Sequence, residues 1–453
     1  MPATFPVDNG MTSFWRTELH FLDSYRSTET LPETSDIVII GAGYAGVSTA
    51  YHCMRLSKSS SVAKPSVVIL EARQTCSGAT GRNGGHLKPD VYYQISSLAD
   101  KYGIQAAEEV AAFEIAHIAA VQSCVEKEGI DCDLELNEVI DVQFDDNHCA
   151  KTKAGYESLI SQGVQTAKEA EFSPEETAEA VSGVKAARGC FRGRTGRLWP
   201  YKFVTQLLER AVSAGVNLQT HTHVLQLPES ADAEGRWTVV TNRGSIQAKW
   251  VVFSSNAYTS AIAPEYKDKI VPVRGVCCRI VVPNPPRTPL NCSYTLRFSA
   301  WDYDYLIPRP DGSIVVGGAK STFFHDSSEW YNNTDDSSLI EPARRYFDNY
   351  MQRHFRGWED TGAYTNRVWT GIMGHSTDSL PHVGHIPNKP GQLVIAGFSG
   401  HGMPQIFLSA QAIAQMVVSG ATYEETNLPR LFKTTRERLN SKENHILTHA
   451  EVA

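Results

Sequence analysis

The sequence predicts an α/β protein in which a Rossmann-type dinucleotide-binding domain is interleaved with a second domain built on a large antiparallel β-sheet. Three observations carry this. Near the start, an apolar run DIVII (36–40) leads into GAGYAG and a helical stretch, and a second run, VVIL (67–70), follows. That is the strand–turn–helix–strand order of a dinucleotide fold. Between 271 and 320, strand-like segments follow one another: VPVRGVCCRIVV, WDYDYLIPRP and DGSIVVGGAK. Near the end, LVIAGFSGHGMPQIFLSAQAIAQMVVSG is again strand, glycine loop and helix. A chain that leaves the first domain and returns to it explains α/β patterns on both sides of an antiparallel block.

The remaining elements follow in order. Residues 1–35 are polar, without a clear period, and read as an extension that packs on the surface. From Pro89 to about residue 128 the pattern is one long helical stretch. ELNEVIDVQF alternates like a strand, and TAKEAEFSPEETAEAV reads as solvated helix or loop. KFVTQLLERAVSAGV is an amphipathic helix, with Gly215 placed to end it. VNLQTHTHVLQL and WTVVTNRGSIQAKWVVFSSNA read as strands, Asp311–Gly312 as a hairpin turn, and 338–356 as a helix. The domain ranges expected are 1–35 for the extension, 36–95 with 185–265 and 365–430 for the dinucleotide domain, 96–184 with 266–364 for the second domain, and 431–453 for a C-terminal tail.

Composition excludes several classes. With a net charge of −8 and 453 residues, the chain carries no basic nucleic-acid footprint. No apolar run approaches the length of a membrane span, and the first residues do not form a secretory signal. The nine cysteines are scattered and show no metal spacing, which predicts reduced thiols in a cytoplasmic protein without a metal site. Cys277 and Cys278 are adjacent and belong on opposite faces of a strand. His375, His382 and His385 form no convincing metal site.

The chemistry begins at Gly41-x-Gly43-x-x-Gly46, which encloses Tyr44 and Ala45. Gly41 permits the tight turn, Gly43 lets the backbone approach a pyrophosphate, and Gly46 lets the helix pack close to the strand. Glu71 ends the second strand, followed by Ala72 and Arg73. Its carboxylate can accept both ribose hydroxyls and would repel a 2′-phosphate. This fingerprint does not separate NAD from FAD. In an NAD enzyme two further glycine-rich segments, CSGATGRNGGHLKP (76–89) and GFSGHGM (397–403), would have no role.

Those segments resemble the FAD-dependent D-amino-acid-oxidase-like superfamily, which includes glycine oxidase, sarcosine oxidase and γ-glutamylputrescine oxidoreductase. GATGRNGGH is most similar to the last of these. The resemblance continues through GRTGRLWPYKFVTQLLERAVSAGV, FSSNAYTS, PVRG, YLIPRPDGSIVVGGAK and GIMGHSTDSLPHVG. It implies a glutathione-reductase-like FAD-binding domain beside a substrate domain. It also implies that Gly78, Ala79, Thr80, Arg82, Asn83, Gly84, Gly85, His86 and Leu87 run along the pyrophosphate and the flavin ring. Val224 would contact adenine through its backbone, and Asn256 and Ala257 would form a turn near the flavin. Gly371, Gly397, Ser399, Gly400, His401, Gly402 and Met403 would belong to the C-terminal flavin loops. Physically, the N–H groups of that last loop and the helix after it would stabilise negative charge on the pyrimidine edge of the flavin. Covalent attachment in the family uses a Cys or a His. WTGIMGHSTD contains no Cys and Arg82 stands at the His position, so FAD is expected to be non-covalent.

The resemblance implies oxidation of a C–N bond in a small amine or amino acid. The α-carbon hydride passes to flavin N5, water hydrolyses the imine, and O2 accepts the electrons to give H2O2. Alternatives are a dehydrogenase with another acceptor, or a catalytically silent FAD-binding scaffold. Trp301, Tyr303 and Tyr305 alternate along one strand face, which either lines a pocket or packs in the core. Arg309 is a candidate for holding a carboxylate, and Arg274 and Lys320 are similar candidates. Lys320 is a candidate for assisting oxygen, and His401 is the histidine expected nearest the ring.

Overall fold

The computed structural model of the chain describes residues 5–59 and 63–450. Two sheets organise it. The first has eight strands. At its parallel centre Thr34–Ile40 lies between Gly244–Phe253 and Val67–Leu70, with Gln392–Ala396 and Asn217–Gln219 outside them. His382–His385 closes one edge in antiparallel fashion. Ile37 and Ile39 face one apolar cluster and Val38 and Ile40 another, so both faces of the sheet are covered. That double burial is why these strands read as unbroken apolar runs. Helices Tyr44–Ser59, Pro200–Ser213 and Ile406–Ala414 share the cluster that contains Ile37 and Ile39.

The second sheet has nine strands. Its order runs Tyr364–Ser376, Ile270–Val281, Ile314–Gly318, Tyr303–Pro308, Ser293–Arg297, Glu135–Gln143, Gly189–Arg197 and His86–Leu87, with Ala170–Pro174 also on Gly189–Arg197. Pairing is antiparallel except between Ser293–Arg297 and Glu135–Gln143. The sheet has two differently employed faces. Cys277, Val315 and Trp369 join the cluster of the first domain's helices, while Cys278, Val316 and Leu306 pack against Trp330, Phe347 and Tyr350. Gly189–Arg197 and all but the first residue of Tyr364–Ser376 fall within sequence ranges expected for the dinucleotide domain, yet they run in this second sheet.

Several segments differ from their sequence expectation. The long helix after Pro89 is two helices, Tyr93–Tyr102 and Ile104–Glu128, parted at Gly103 with φ of 86°. The 338–356 stretch holds only a 3-10 turn, Glu341–Ala343, and a short helix, Tyr350–His354; Asn349, at φ of 54°, stands between them. Part of the acidic TAKEAEFSPEETAEAV stretch is a strand, Ala170–Pro174. Trp301 lies in a turn before Tyr303–Pro308 and does not share the strand with Tyr303 and Tyr305. The N-terminal extension is not a surface addition. Phe14, Trp15 and Leu22 are buried, Ser13 donates to the Gly81 carbonyl, and the Trp15 indole donates to the Asn83 carbonyl.

Candidate active site

Glycine is required at the first loop for reasons visible atom by atom. A Cβ on Gly46 would stand 2.0 Å from the Gly41 carbonyl oxygen, and one on Gly41 would stand 2.8 Å from the Ser254 oxygen. Gly41 also has φ of 112°, a region costly for a side chain. Glu71 Oε2 accepts from the Ala42 N–H at 2.9 Å and Oε1 from the Arg73 N–H at 2.9 Å. The carboxylate thus ties the glycine turn to the end of the second strand. Thr80 Oγ1 accepts from the Tyr44 N–H at 2.8 Å, where the first helix begins.

Gly41, Tyr44, Glu71, Arg73, Thr80 and Ser254 wall a cleft partly open to solvent. Of the expected FAD contacts, Gly41, Gly43, Tyr44, Ala45, Glu71, Ala72, Arg73, Gly78, Ala79, Thr80, Val224, Asn256 and Ala257 line it. The cleft fits a dinucleotide by its chemistry as well as its outline. Gly78 faces open space, and Ser77 Oγ, His223 Nε2 and Tyr258 Oη, all on its wall, are buried without a hydrogen-bond partner among the described residues. Buried polar atoms left so are costly unless a ligand or water satisfies them. Among the described residues no group of acidic, histidine or cysteine side chains is arranged to hold a metal.

The second glycine segment then crosses to the antiparallel sheet. Arg82 is buried; its Nη1 donates to the Thr370 carbonyl, its Nη2 to the Met11 carbonyl, and it pairs with Asp336 at 3.3 Å. Asp336 also holds Arg73 through two bonds, at 2.9 and 3.0 Å. The Arg73 side chain is therefore turned to structure, whatever its backbone offers the cleft. The Tyr305 ring lies against Gly84, where a Cβ would stand 2.5 Å from it, and against Gly317, where a Cβ would stand 2.2 Å from it. Tyr305 is clamped between two glycines, with its hydroxyl 3.0 Å from Cys277 Sγ.

The C-terminal loop meets the turn after Gly244–Phe253 at Asn256, whose Oδ1 accepts from the Gly397 N–H at 3.0 Å. Asn256 and Ser399 both have positive φ, 44° and 50°. His401 Nε2 lies 2.8 Å from Glu114 Oε2, and Gln405 Nε2 lies 2.7 Å from Glu114 Oε1. Burial opposes a charge on His401, but the Glu114 carboxylate outweighs it and raises the imidazole above its ordinary value. His86 goes the other way: burial, then Lys88, pushes it down to about 3. Gly371 packs on Arg82, Gly402 on Ile406, and Met403 against the main apolar cluster.

The sheet face beside Gly84 is aromatic and cationic. Lys320 Nζ sits 4.2 Å from the Tyr303 ring centre, and its charge holds that phenol below its ordinary value. Arg297 lies against the Tyr93 and Tyr303 rings and donates to Asp141 at 2.8 Å; Lys88 reaches the same carboxylate at 3.2 Å. Arg309, expected to hold a substrate carboxylate, is instead occupied. Its Nη2 donates to Asp133 at 2.7 Å, its guanidinium lies over the Trp15 and Trp199 rings, and its side chain is 1% exposed. Arg274 is likewise committed, to Glu329 and the Ser338 carbonyl.

Sequence reasoning missed Phe5, Pro6, Ser77, His223, Tyr258 and Ile372 on the cleft wall, and Glu114 beneath the C-terminal loop. Phe5 and Pro6 arrive from a segment without periodicity. Ser77 stands inside the glycine-rich run 76–89 and could have been read from it.

The fold and cleft define a doubly wound dinucleotide-binding protein with a second, antiparallel sheet set against the binding loops. Residues 36–416 match the DAO family model, described as FAD dependent oxidoreductase, and the chain belongs to that family. FAD is its cofactor. The chain is similar to γ-glutamylputrescine oxidoreductase of Escherichia coli, with 21% identity over 87% of each chain. Its fold is similar to that of glycine oxidase from Geobacillus kaustophilus, with a TM-score of 0.70 and 19% identity over 89% of this chain and 99% of that one. A stretch of 63 residues is 68% identical to the mitochondrial amino-acid acetyltransferase of Aspergillus oryzae; it covers 14% of this chain and 9% of that protein. Among the described residues no helix is long and apolar enough to cross a membrane.

Proposed function

We propose that the protein is an FAD-dependent oxidase of a small amine or amino acid, with O2 as the electron acceptor and FAD held non-covalently. The single observation that supports this reading best is the seating of Tyr305 against Gly84. The substrate-side sheet there meets the glycine segment that follows the cofactor cleft, with Tyr303 and Lys320 beside it. The flavin, when bound, supplies the two-electron acceptor; the chain supplies position, exclusion of water and charge. Tyr303 and Tyr305 form an apolar wall for the carbon skeleton. Lys320, held by the Trp301 carbonyl at 3.3 Å and the Tyr303 ring, fixes a positive charge on that wall, suited to a substrate carboxylate or to reducing oxygen. The relatives named for γ-glutamylputrescine and glycine frame the substrate range. Non-covalent binding is supported by Arg82, which is tied to Asp336 where a linking histidine would stand. The nine cysteines are all free and buried, in keeping with a cytoplasmic setting.

An anaerobic screen of amines and amino acids, read by bleaching of the flavin band, tests the reading. At least one C–N substrate should bleach the protein, and admitting air should restore the colour with one H2O2 per turnover. Restoration only by an artificial acceptor would make the protein a dehydrogenase. Bleaching by none of the compounds would remove the oxidase reading.

A further inference from the structure

The helix after the C-terminal glycine loop does not offer its N-terminal charge freely. The Leu408 N–H, in its first turn, donates to His117 Nε2 at 3.1 Å, and the Ile406 N–H is returned to the Gly402 carbonyl at 2.9 Å. His117 Nδ1 in turn faces the Phe113 carbonyl at 2.8 Å, and burial pushes this histidine down to about 4, so it is neutral. A carboxylate, Glu114, stands beside the same helix start and binds Gln405, its capping residue. Two donors of the helix start are thus taken up, and a negative charge is buried beside them. Of the side chains in the loop Gly397–Met403, His401 is the one able to carry positive charge.

Glu114 lies mid-way along Ile104–Glu128, with a side chain 2% exposed. Its two oxygens accept from three donors: Gln405 Nε2, the Asp90 N–H at 2.7 Å and His401 Nε2. The first two are neutral, so neither balances the carboxylate; a buried carboxylate needs a cation. The other groups around His401 do not supply or compete for that role. Asp90 is spent capping the next helix, accepting from the Tyr92, Tyr93 and Gln94 N–H groups. Lys88 is bound to Asp141. His86 is neutral, with Nε2 unpartnered among the described residues.

We propose that Glu114 is a positioning residue that keeps His401 protonated, so that the loop Gly397–Met403 presents an imidazolium to the bound flavin. This rests on reading that loop as flavin-facing. A fixed positive charge there favours any state in which the flavin carries negative charge.

The holoenzyme carrying ¹³C-labelled histidine is titrated by NMR, and the His401 signal is identified by its loss in His401→Asn. His401 should titrate above the ordinary histidine value, and its midpoint should fall by at least one pH unit in Glu114→Gln. Sulfite affinity, read by flavin bleaching, supplies the second measurement. It should weaken as pH rises through the His401 midpoint, and at pH 7 should be at least tenfold weaker in Glu114→Gln. His401→Asn should abolish the pH step while leaving the Gln405 and Asp90 bonds to Glu114 in place. If Glu114→Gln does not fold, Glu114→Asp is read instead, and a smaller downward shift is expected. An unshifted midpoint, or the same sulfite profile in all variants, overturns the proposal. Neither readout uses an amine, so such a result leaves the oxidase reading standing, and a failed amine screen leaves this pair untouched.

Discussion

At Gly46 a single methyl group decides whether the first helix can approach its strand. The Cβ of an alanine would fall 2.0 Å from a backbone oxygen, which no side-chain movement relieves. Gly46→Ala should therefore weaken FAD retention at least tenfold, measured by flavin fluorescence on dilution; retention equal to the parent would contradict the packing role. Residues of this kind are legible because their partners are local. Gly41, Gly43, Gly46 and Glu71 sit within one strand–helix–strand unit, and spacing alone encodes what they do. Glu114 is the opposite case. It meets His401 across 287 positions of sequence, and its helix shows only an ordinary polar residue in a helical pattern. Arg309 failed for a related reason: its residue type announces carboxylate binding, but Asp133, 176 positions away, provides the carboxylate.

At the scale of elements, the segment 5–16 acts as a strap. Its Val7 and Met11 carbonyls accept from Arg73 and Arg82, and the Met11 N–H donates to the Asp336 carbonyl at 2.8 Å. The Asp336 side chain is 0% exposed and balances both guanidinium groups. Asp336→Asn leaves two buried cations facing one another. Loss of one partner of a buried pair typically costs about 3–5 kcal/mol, so the urea midpoint should fall accordingly; an unchanged midpoint would show the strap to be held by other contacts. None of this was visible in a polar segment without periodicity, because its burial depends on Trp15, Trp199 and Arg309 meeting in three dimensions. Strands fared better. The alternation of ELNEVIDVQF and the turn at Gly312, with φ of 79°, need only nearest neighbours. The break at Gly103 was missed because apolar spacing continues on both sides of it, while the backbone reverses its φ.

At the scale of the molecule, one carboxylate ties the second sheet to the glycine segment. Asp141 accepts from Arg297, Lys88 and Tyr92. Burial alone would raise it, but Arg297 and then Lys88 hold it down to about 2. A folded value below the unfolded one, near 3.9, contributes stability above pH 4 that is lost as pH falls through 2. The contribution is on the order of 2–3 kcal/mol at neutral pH. Acid unfolding followed by circular dichroism should show a loss between pH 4 and 2 that Asp141→Asn flattens; equal slopes in both proteins would exclude Asp141 as its source. The strap has a further bearing on the same cleft. Phe5 and Pro6 form part of the wall, and the residues after them are anchored at Val7 and Met11. A cofactor bound in the cleft would therefore lie against the chain's own leading segment, which the buried Arg73 and Arg82 hold in place.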